Sequence, residues 1–172
     1  LPVAPNCNIQ CNFCNRMYDC ANENRPGVTQ KVYTPDEAVA YLEKLFKNRQ
    51  DISVIGIAGP GDPMCDADKT LPTFEKCRAR FPHLMLCLST NGLALPEHVD
   101  DIVRIGVSHV TVTVNAVTPQ VGGKVYAWVR YNGKTYTGEE GAAILLARQD
   151  EGIRKLKEAG MIVKINTVVI PG

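Results

Sequence analysis

The sequence lacks an excess of either charge: 19 basic and 18 acidic residues leave a formal net charge of +1. Composition therefore gives no reason to expect nucleic acid or an anionic membrane as a partner. No apolar run approaches the roughly 20 residues that are needed to cross a bilayer. The first residues form neither a signal peptide nor a transit peptide, so we expect a cytoplasmic protein with no membrane partner.

The chain also lacks an initiator methionine, and it stops at Gly172, just after an apolar run. We therefore expect a piece of a longer protein that is incomplete at both ends. Its 172 residues, 45% of them apolar, are enough for one domain with a sizeable core. We find no internal repeat or low-complexity segment, and we expect a single domain over residues 1–172.

The sequence has seven cysteines, but they do not form the paired Cys-x2-Cys units that zinc sites usually show. Cys7, Cys11, Cys14 and Cys20 lie close together, and this crowding favours metal over a disulfide framework. The first three can bind three irons of a 4Fe–4S cube and leave the fourth iron without a protein ligand. Two alternatives stay open: a zinc site with Cys20 as fourth ligand, and an electron-transfer cluster, which needs a fourth ligand at its own spacing.

Short apolar runs alternate with amphipathic segments along the chain, which predicts βα units on a parallel sheet. Thr34, Pro35 and Glu37 form a capping pattern that predicts the start of the first helix. Strands are predicted at 1–5, 52–58, 84–90, 107–115 and 162–170, and helices at 35–48, 69–80, 96–105 and 139–159. Residues 116–138 are predicted to be irregular. Polar and glycine-rich residues follow the strands, and parallel sheets place their sites at that edge.

The spacing Cys7-x3-Cys11-x2-Cys14, with the aromatic Phe13 before the last cysteine, resembles the signature of the radical S-adenosylmethionine (SAM) superfamily. The resemblance implies that these cysteines hold a 4Fe–4S cluster whose open iron binds the amino and carboxylate groups of SAM. The reduced cluster then cleaves SAM and releases a 5′-deoxyadenosyl radical. It also implies an α/β fold, a partial (β/α)6 TIM-like barrel of the radical SAM type. We expect the sixth strand of that barrel to be missing from this chain.

The same resemblance implies which residues contact SAM, in addition to Phe13. Gly59, Gly61 and Asp62 fall where the superfamily has a Gly-Gly-Glu-type loop that meets the methionine amino group, although Asp62 departs from that glutamate. Polar residues near the ends of later strands are candidates for hydrogen bonds to the ribose, carboxylate or amine: Ser89, Asn91, Asn115 and Asn166. Each of these four could equally cap its strand, and the glycine loop could equally be an ordinary turn.

A closer resemblance, to the radical SAM enzymes of nitrogenase cofactor biosynthesis, covers essentially the whole chain. It is carried by residues 7–23, 25–27, 58–63, 87–96, 126–128, 148–149 and 164–172. It implies fusion of two 4Fe–4S clusters, with insertion of a SAM-derived carbide, into the 8Fe precursor of the iron–molybdenum cofactor. It implies Cys20 and Cys87 as ligands of an additional 4Fe–4S precursor cluster. The implied partners are iron–sulfur cluster substrates, cluster-delivery proteins and nitrogenase assembly proteins.

Two other functions stay open. One is a radical SAM reaction on a small organic substrate, against which ligand-competent Cys20 and Cys87 argue, because such a substrate needs no second cluster. The other is a non-catalytic iron–sulfur carrier, which has no use for a SAM pocket and so does not cleave SAM. Cys87 lies in an apolar strand and could also be a small core residue.

The remaining cysteines, histidines, arginines and aromatic residues that could act in a site could also have purely structural roles. Cys77, on a predicted helix, is expected in the core, and Cys65 matches no ligand of the family. The three histidines are isolated and have no metal spacing. Candidates for binding the SAM carboxylate or cluster charge, unless they are salt-bridged or solvated, are Arg16, Arg25 and Arg148. Tyr126 and Trp128 either shield the reactive chamber from water or pack in the core.

Overall fold

The structure is a computed structural model that describes residues 1–15 and 31–169. The strands are β1 (Pro2–Ala4), β2 (Ile9–Cys11), β3 (Val54–Ile57), β4 (Gly59–Pro60), β5 (Met85–Thr90), β6 (His109–Thr113), β7 (Tyr126–Tyr131), β8 (Lys134–Tyr136) and β9 (Ile162–Asn166). The helices are α1 (Pro35–Phe46), α2 (Ala67–Arg80), α3 (Val99–Ile105), α4 (Pro119–Val125) and α5 (Gly138–Glu158), with a 3-10 turn at Leu95–Glu97. The predictions for Cys20, Arg16 and Arg25 fall outside the described residues.

A parallel sheet of four strands, in the order β3-β5-β6-β9, forms the centre of the described chain. β1 pairs in parallel with β4. Only Ala58 separates β4 from the end of β3, so β1 lies at the β3 side of the sheet. The sheet does not close on itself within the described residues. This arrangement confirms the predicted α/β fold as an open, partial barrel. The prediction of a sixth strand outside this chain stays a prediction.

The two faces of the sheet differ because side chains alternate along each strand. One face carries Ile55, Ile57, Leu86, Leu88, Val110 and Val112, which pack in one core cluster with residues of α1, α2, α3 and α5. The opposite face, here called the open face, carries Gly56, Met85, Cys87, Ser89, His109, Thr111, Ile162 and Lys164. It is accessible at the amino ends of its strands, where Met85 is 45% exposed and Ile162 is 70% exposed, whereas Thr111 is buried.

The helices begin and end where local chemistry dictates. Thr34 and Glu37 form the predicted capping box, with the Thr34 N–H donating to the Glu37 carboxylate at 2.9 Å and the Glu37 N–H donating to the Thr34 hydroxyl at 3.3 Å. Gly106 ends α3 in the left-handed conformation, with φ of 77°. None of the helices in the described part of the chain is long and apolar enough to cross a membrane.

The prediction that residues 116–138 are irregular is wrong. Thr118 caps α4, and its hydroxyl accepts a hydrogen bond from Val121 N–H. β7 and β8 then form an antiparallel hairpin. Asn132 and Gly133 both have positive φ, 49° and 74°, as a two-residue hairpin turn of type I′ requires.

Two element boundaries also differ from the predictions by three residues or more. The segment predicted as a helix at 96–105 begins as the 3-10 turn, and α3 starts only at Val99. The last strand ends at Asn166 rather than 170, and the described residues after it bond to the end of β6. There the Thr167 hydroxyl donates to the Val114 carbonyl at 2.8 Å.

Candidate functional site

The three cysteines of the motif lie in one short segment, residues 7–14, here called the cysteine loop. Cys7 precedes β2, Cys11 is the last residue of β2, and Cys14 follows it. Cys7, Cys11 and Cys14 are half-buried, and none is in a disulfide. The loop is closed by its own backbone, because Cys14 N–H donates to the Cys11 carbonyl at 3.0 Å. The amide of Gln10 donates to the carbonyls of Cys11 and Cys14, at 2.9 Å and 2.8 Å. These bonds fix the backbone between the second and third thiols.

The glycine loop after β3 supports the entrance to the cysteine loop. Gly61 N–H donates to the Ala4 carbonyl and Asp62 N–H to the Asn6 carbonyl, each at 2.6 Å. A Cβ at Gly61 would overlap the carbonyl oxygen of Asn6 and lie 2.8 Å from the carbonyl carbon of Pro5. Only glycine permits this approach of the two backbones.

Asp66 holds the same entrance from the start of α2. Its carboxylate accepts hydrogen bonds from both the backbone N–H and the side-chain amide of Asn6, each at 2.8 Å. Asp66 is 5% exposed, so its carboxylate is largely shielded from water, whereas Asn6 is exposed. Asn6 immediately precedes Cys7, and the position of the first thiol is therefore set by contacts with residues 61–66.

The hairpin holds the other end of the cysteine loop. β2 pairs with β7 in antiparallel register, with Ile9 opposite Val129 and Cys11 opposite Tyr126. Asn12 continues this contact beyond the strand: its backbone N–H donates to the Val125 carbonyl at 2.9 Å and its side chain to the Lys124 carbonyl at 2.7 Å. The segment predicted as irregular thus fixes the second cysteine and the residue that follows it.

Asp62 is a buried carboxylate that ties the glycine loop to the end of β5. It is 3% exposed and accepts hydrogen bonds from the Thr90 hydroxyl and from the backbone N–H groups of Met64, Cys65 and Asn91. Burial raises the pKa of the Asp62 carboxyl, and these donors act against that shift. The structure shows a structural role for the carboxylate, and its contact with SAM stays a prediction.

Asn91, just after β5, connects this network to the first cysteine. Its side-chain amide donates to the Asn8 side-chain oxygen at 2.7 Å and to Cys7 Sγ at 3.6 Å. Its main-chain carbonyl accepts a hydrogen bond at 2.7 Å from Gln149 of α5, which also donates to the Thr113 carbonyl at 3.0 Å. Gln149 therefore joins the carboxyl ends of β5 and β6.

Gln149 was not among the predicted site residues. It belongs to a helix whose neighbouring positions are polar, and its two carbonyl partners lie 58 and 36 residues away. Gln149 is recognised as a site residue because its polar side chain is only 2% exposed. The sequence alone does not reveal this burial.

Cys87 and Ser89 lie together on the open face, half-buried. Burial raises the pKa of the Cys87 thiol, and the positive charge of Lys164 on β9 acts against that shift. Asn166 ends β9 opposite Thr113, on the same face as Lys164. The structure thus places Cys87, Ser89 and Asn166 on the surface that a barrel would enclose, and their ligand contacts stay predictions.

Other predicted residues have structural partners. The side chain of Asn115 accepts a hydrogen bond from Val168 N–H at 3.0 Å, so it caps the end of β9. Arg148 forms ion pairs with Glu97 and Glu151. This is the salt-bridged role given above as the alternative to binding the SAM carboxylate or cluster charge. Phe13 is half-buried beside Cys14.

The remaining cysteine and aromatic predictions divide between core and loop. Cys77 is fully buried in the main core, as predicted, and burial raises the pKa of its thiol to about 11. Tyr126 packs in a second core cluster with Ile9, Leu93, Ala116, Val129, Ala142 and Leu145. Burial raises the pKa of Tyr126 to about 12. Cys65 follows the glycine loop, and its N–H donates to Asp62 at 3.3 Å.

The donor set of the cysteine loop fits an iron–sulfur cluster. Among residues 1–15 and 31–169, no three Cys, His, Asp or Glu side chains converge closely enough to bind one metal ion. A 4Fe–4S cube does not need such convergence, because each thiolate binds a different corner iron. Three soft thiolates from one anchored loop are ligands of the type that iron–sulfur clusters use.

Comparisons with known proteins agree with this chemistry. The model of the radical SAM superfamily matches residues 1–172. The FeMo cofactor biosynthesis protein NifB of Chlorobaculum tepidum is 48% identical over 172 residues, 100% of this chain and 41% of the relative. NifB of Klebsiella pneumoniae is 50% identical over 172 residues, which cover 37% of its length. NifB of Sinorhizobium fredii is 52% identical over 170 residues, or 99% of this chain and 34% of the relative. The chain spans about two fifths or less of the length of these curated relatives.

Proposed function

The chain belongs to the radical SAM superfamily, and from that premise we propose that Cys7, Cys11 and Cys14 hold the 4Fe–4S cluster of a SAM-cleaving enzyme. The single observation that carries the proposal is the anchoring of the cysteine loop. Three separate parts of the chain fix it: residues 59–66, Asn91 and the 124–130 segment. A loop held so firmly presents three thiols in a defined geometry, which a cluster with one open iron requires.

The residues around the loop have distinct tasks in this proposal. The three thiolates would hold three irons of the cluster, and its remaining iron would be open to the amino and carboxylate groups of SAM. When bound, the reduced cluster supplies the electron that cleaves the sulfonium. Gly61 and Asp66 hold the entrance to the loop, and the hairpin holds its exit. Ser89 and Asn166 line the open face, where they can hydrogen-bond the bound SAM.

We further propose that the reaction is the fusion of two 4Fe–4S substrates, with carbide insertion, into the 8Fe precursor of the iron–molybdenum cofactor. Relatives at 48–52% identity are FeMo cofactor biosynthesis proteins, which supports a reaction in the assembly of that cofactor. Cys87 supports it as well, because a half-buried thiol on the open face can bind an iron–sulfur substrate. Lys164 on the same face supplies a positive charge for an anionic cluster. Cys20, the other proposed ligand, lies outside the described residues.

Cellular partners and location follow from the same proposal. A protein that takes up and releases precursor clusters must meet cluster-delivery proteins and nitrogenase assembly proteins. We infer a cytoplasmic location, because the thiols that such a protein needs as cluster ligands stay reduced in the cytosol.

The test of SAM cleavage is made anaerobically on the chain reconstituted with iron and sulfide and reduced with dithionite. We expect 5′-deoxyadenosine from the wild type and from Cys65→Ala, a matched control that removes a half-buried cysteine outside the motif. We expect none from the Cys7/Cys11/Cys14→Ala triple variant. A loaded wild type that makes no 5′-deoxyadenosine would overturn the enzymatic proposal and favour an iron–sulfur carrier.

The test of the substrate class uses Cys87→Ala. If Cys87 binds a second cluster, the variant holds about four irons per chain where the wild type holds about eight. Iron analysis and Mössbauer spectroscopy measure this difference. The same variant keeps SAM cleavage, because Cys87 is not part of the three-cysteine motif. Equal iron content in both proteins would contradict the role of Cys87 and leave SAM cleavage standing as a separate result.

A further inference from the structure

The side chain of Asn91 contacts the first cysteine of the motif, and this contact carries an inference about the cluster itself. The Asn91 amide nitrogen lies 3.6 Å from Cys7 Sγ, within the range of an N–H···S hydrogen bond. The residue follows β5 directly, so the strand places it beside the cysteine loop. The residue is 8% exposed, so water does not compete strongly for this donor.

The orientation of the amide is determined by its other partners. The Asn91 side-chain oxygen accepts a hydrogen bond from Leu93 N–H at 2.9 Å, and this donor requires an oxygen. The side-chain nitrogen must then face the other way, toward Asn8 at 2.7 Å and Cys7 Sγ. If the amide were flipped, the Asn91 NH2 group would face the Leu93 N–H, and the Asn91 oxygen would face Cys7 Sγ. Neither contact is a hydrogen bond.

The backbone of Asn91 is fixed as firmly as its side chain. Its N–H donates to the buried carboxylate of Asp62, and its carbonyl accepts a hydrogen bond from Gln149. Thr90, the preceding residue, also donates to Asp62. Asn91 is therefore a donor held at a set position by three buried polar residues, and its amide is fixed before any cluster binds.

An N–H donor stabilises a thiolate more as the charge on its sulfur grows. Reduction adds one electron to a 4Fe–4S cluster and increases the negative charge on its ligands. Hydrogen bonds to the sulfurs are one of the factors that set cluster potentials. We propose that Asn91 is a positioning residue that holds Cys7 and raises the reduction potential of the cluster bound by the motif. This inference rests on the proposed function.

The main test is Asn91→Ser. A serine oxygen can still accept a hydrogen bond from the backbone two residues on, so the local turn survives, but its side chain is too short to reach Cys7 Sγ. The matched control is Asn12→Ser, in the same cysteine loop. The Asn12 amide donates to the Lys124 carbonyl rather than to a sulfur. The control therefore removes one hydrogen bond that holds the loop and leaves the Asn91 donor in place.

The readout is an EPR-monitored redox titration of the reconstituted, SAM-free chain, with iron content and circular dichroism measured in parallel. We expect Asn91→Ser to have a more negative midpoint potential. At the wild-type midpoint, the ratio of reduced to oxidised cluster should fall about tenfold, which is about 59 mV for one electron. Asn12→Ser should keep the wild-type potential. A looser loop alone would lower iron content in both variants without moving the potential of Asn91→Ser specifically.

Asn91→Asp gives a second comparison if the serine variant binds little iron. It keeps the size of the side chain and the acceptor for Leu93, but it replaces the donor with an oxygen. The potential should again shift to more negative values. Unchanged potentials in Asn91→Ser and Asn91→Asp, or folded variants that lose iron without a shift in what remains, would overturn the inference. A wild type that assembles no cluster would instead overturn the proposed function, and the inference with it.

Discussion

At the scale of single residues, the buried carboxylate of Asp62 joins the glycine loop to β5 through four donors. Asp62→Asn places an amide where backbone N–H groups donate, so at least one buried donor loses its acceptor. We expect the free energy of unfolding to fall by about 1–3 kcal/mol. Guanidinium unfolding midpoints measure the change. Asp68→Asn, in the exposed first turn of α2, should alter it by less than about 0.5 kcal/mol. Equal losses in the two variants would contradict the role of Asp62.

Cys77 makes stability depend on pH in the alkaline range. Its pKa is raised by burial from 9.0 to about 11, so the fold favours the neutral thiol. Below pH 9 the thiol is neutral in both states, and its contribution to stability is fully present. As pH rises from 9 to 11 the unfolded thiol ionises first, and stability falls by roughly 2–3 kcal/mol.

The measurement for Cys77 compares the wild type with Cys77→Ala at pH 8 and pH 11. Other groups, including Tyr126, also titrate in this range, and the comparison removes their contribution. We expect the wild type to be the more stable protein at pH 8 and its advantage to shrink at pH 11. An advantage that does not change with pH would show that burial does not perturb this thiol.

The sequence predicts the residues of the site better than it predicts their partners. Cys7, Cys11 and Cys14 are recognisable because ligand spacing is local. The bond from Asn91 to Cys7 joins residues 84 positions apart, and no local pattern encodes it. The buried position of Asp62 was equally hidden, because a carboxylate in a glycine-rich loop is exposed unless another segment supplies its donors.

At the scale of elements, the β7–β8 hairpin is the support of the cysteine loop. Gly133 has φ of 74° and no neighbouring atom within 4 Å of a Cβ placed there. Gly133→Ala therefore tests backbone conformation without a steric clash. We expect a loss of about 1–2 kcal/mol in the free energy of unfolding, from the left-handed conformation. Iron retained after reconstitution should fall too, because β7 pairs with β2.

The control for the hairpin is Thr135→Ala, an exposed residue of β8. It should change thermal stability and iron retention little, because its backbone conformation suits any residue. Gly133→Ala with the iron content of the wild type would show that the cysteine loop does not depend on the hairpin turn.

Caps and periodicity predicted α1, α2, α3 and α5, whereas α4 and the hairpin were missed. Pro119, Gly122 and Gly123 make the segment before it look like a loop. The pair Asn132-Gly133, between segments rich in aromatic and β-branched residues, was the available indication of a type I′ turn. Its pairing partner, β2, is only three residues long and lies within the cysteine motif, so its strand character was hidden by its chemistry.

At the scale of the whole molecule, the sheet has an accessible face and an edge at β9, which pairs only with β6 among the described strands. Edge strands with exposed apolar residues promote association. Ile162→Lys should reduce self-association at high concentration, measured by size-exclusion chromatography with light scattering. Its stability should change little, because Ile162 is 70% exposed.

The control is Val117→Lys, at an 86% exposed position outside the sheet, which should leave self-association unchanged. Equal behaviour of the two variants would exclude the β9 edge as the contact.

The order of the parallel strands follows from the alternation of apolar and amphipathic segments, and the sequence predicted it well. The sequence did not predict how far the sheet curves or whether it closes. Closure requires the strands at the two edges of the sheet to pair with each other. Those contacts join segments from opposite ends of the chain, and hydrophobic periodicity carries no information about them.

The cysteine loop depends on chain that is synthesised much later, since Asn12 bonds to Lys124 across 112 residues. At roughly 5–20 residues per second, a ribosome makes the intervening chain in about 6–22 s. Throughout that interval the thiols have emerged, but the strand that positions them has not. Because these contacts need residues 124–130, the loop can reach its final shape only after β7 has left the ribosome, and we expect iron delivery to the three thiols to follow translation of the hairpin.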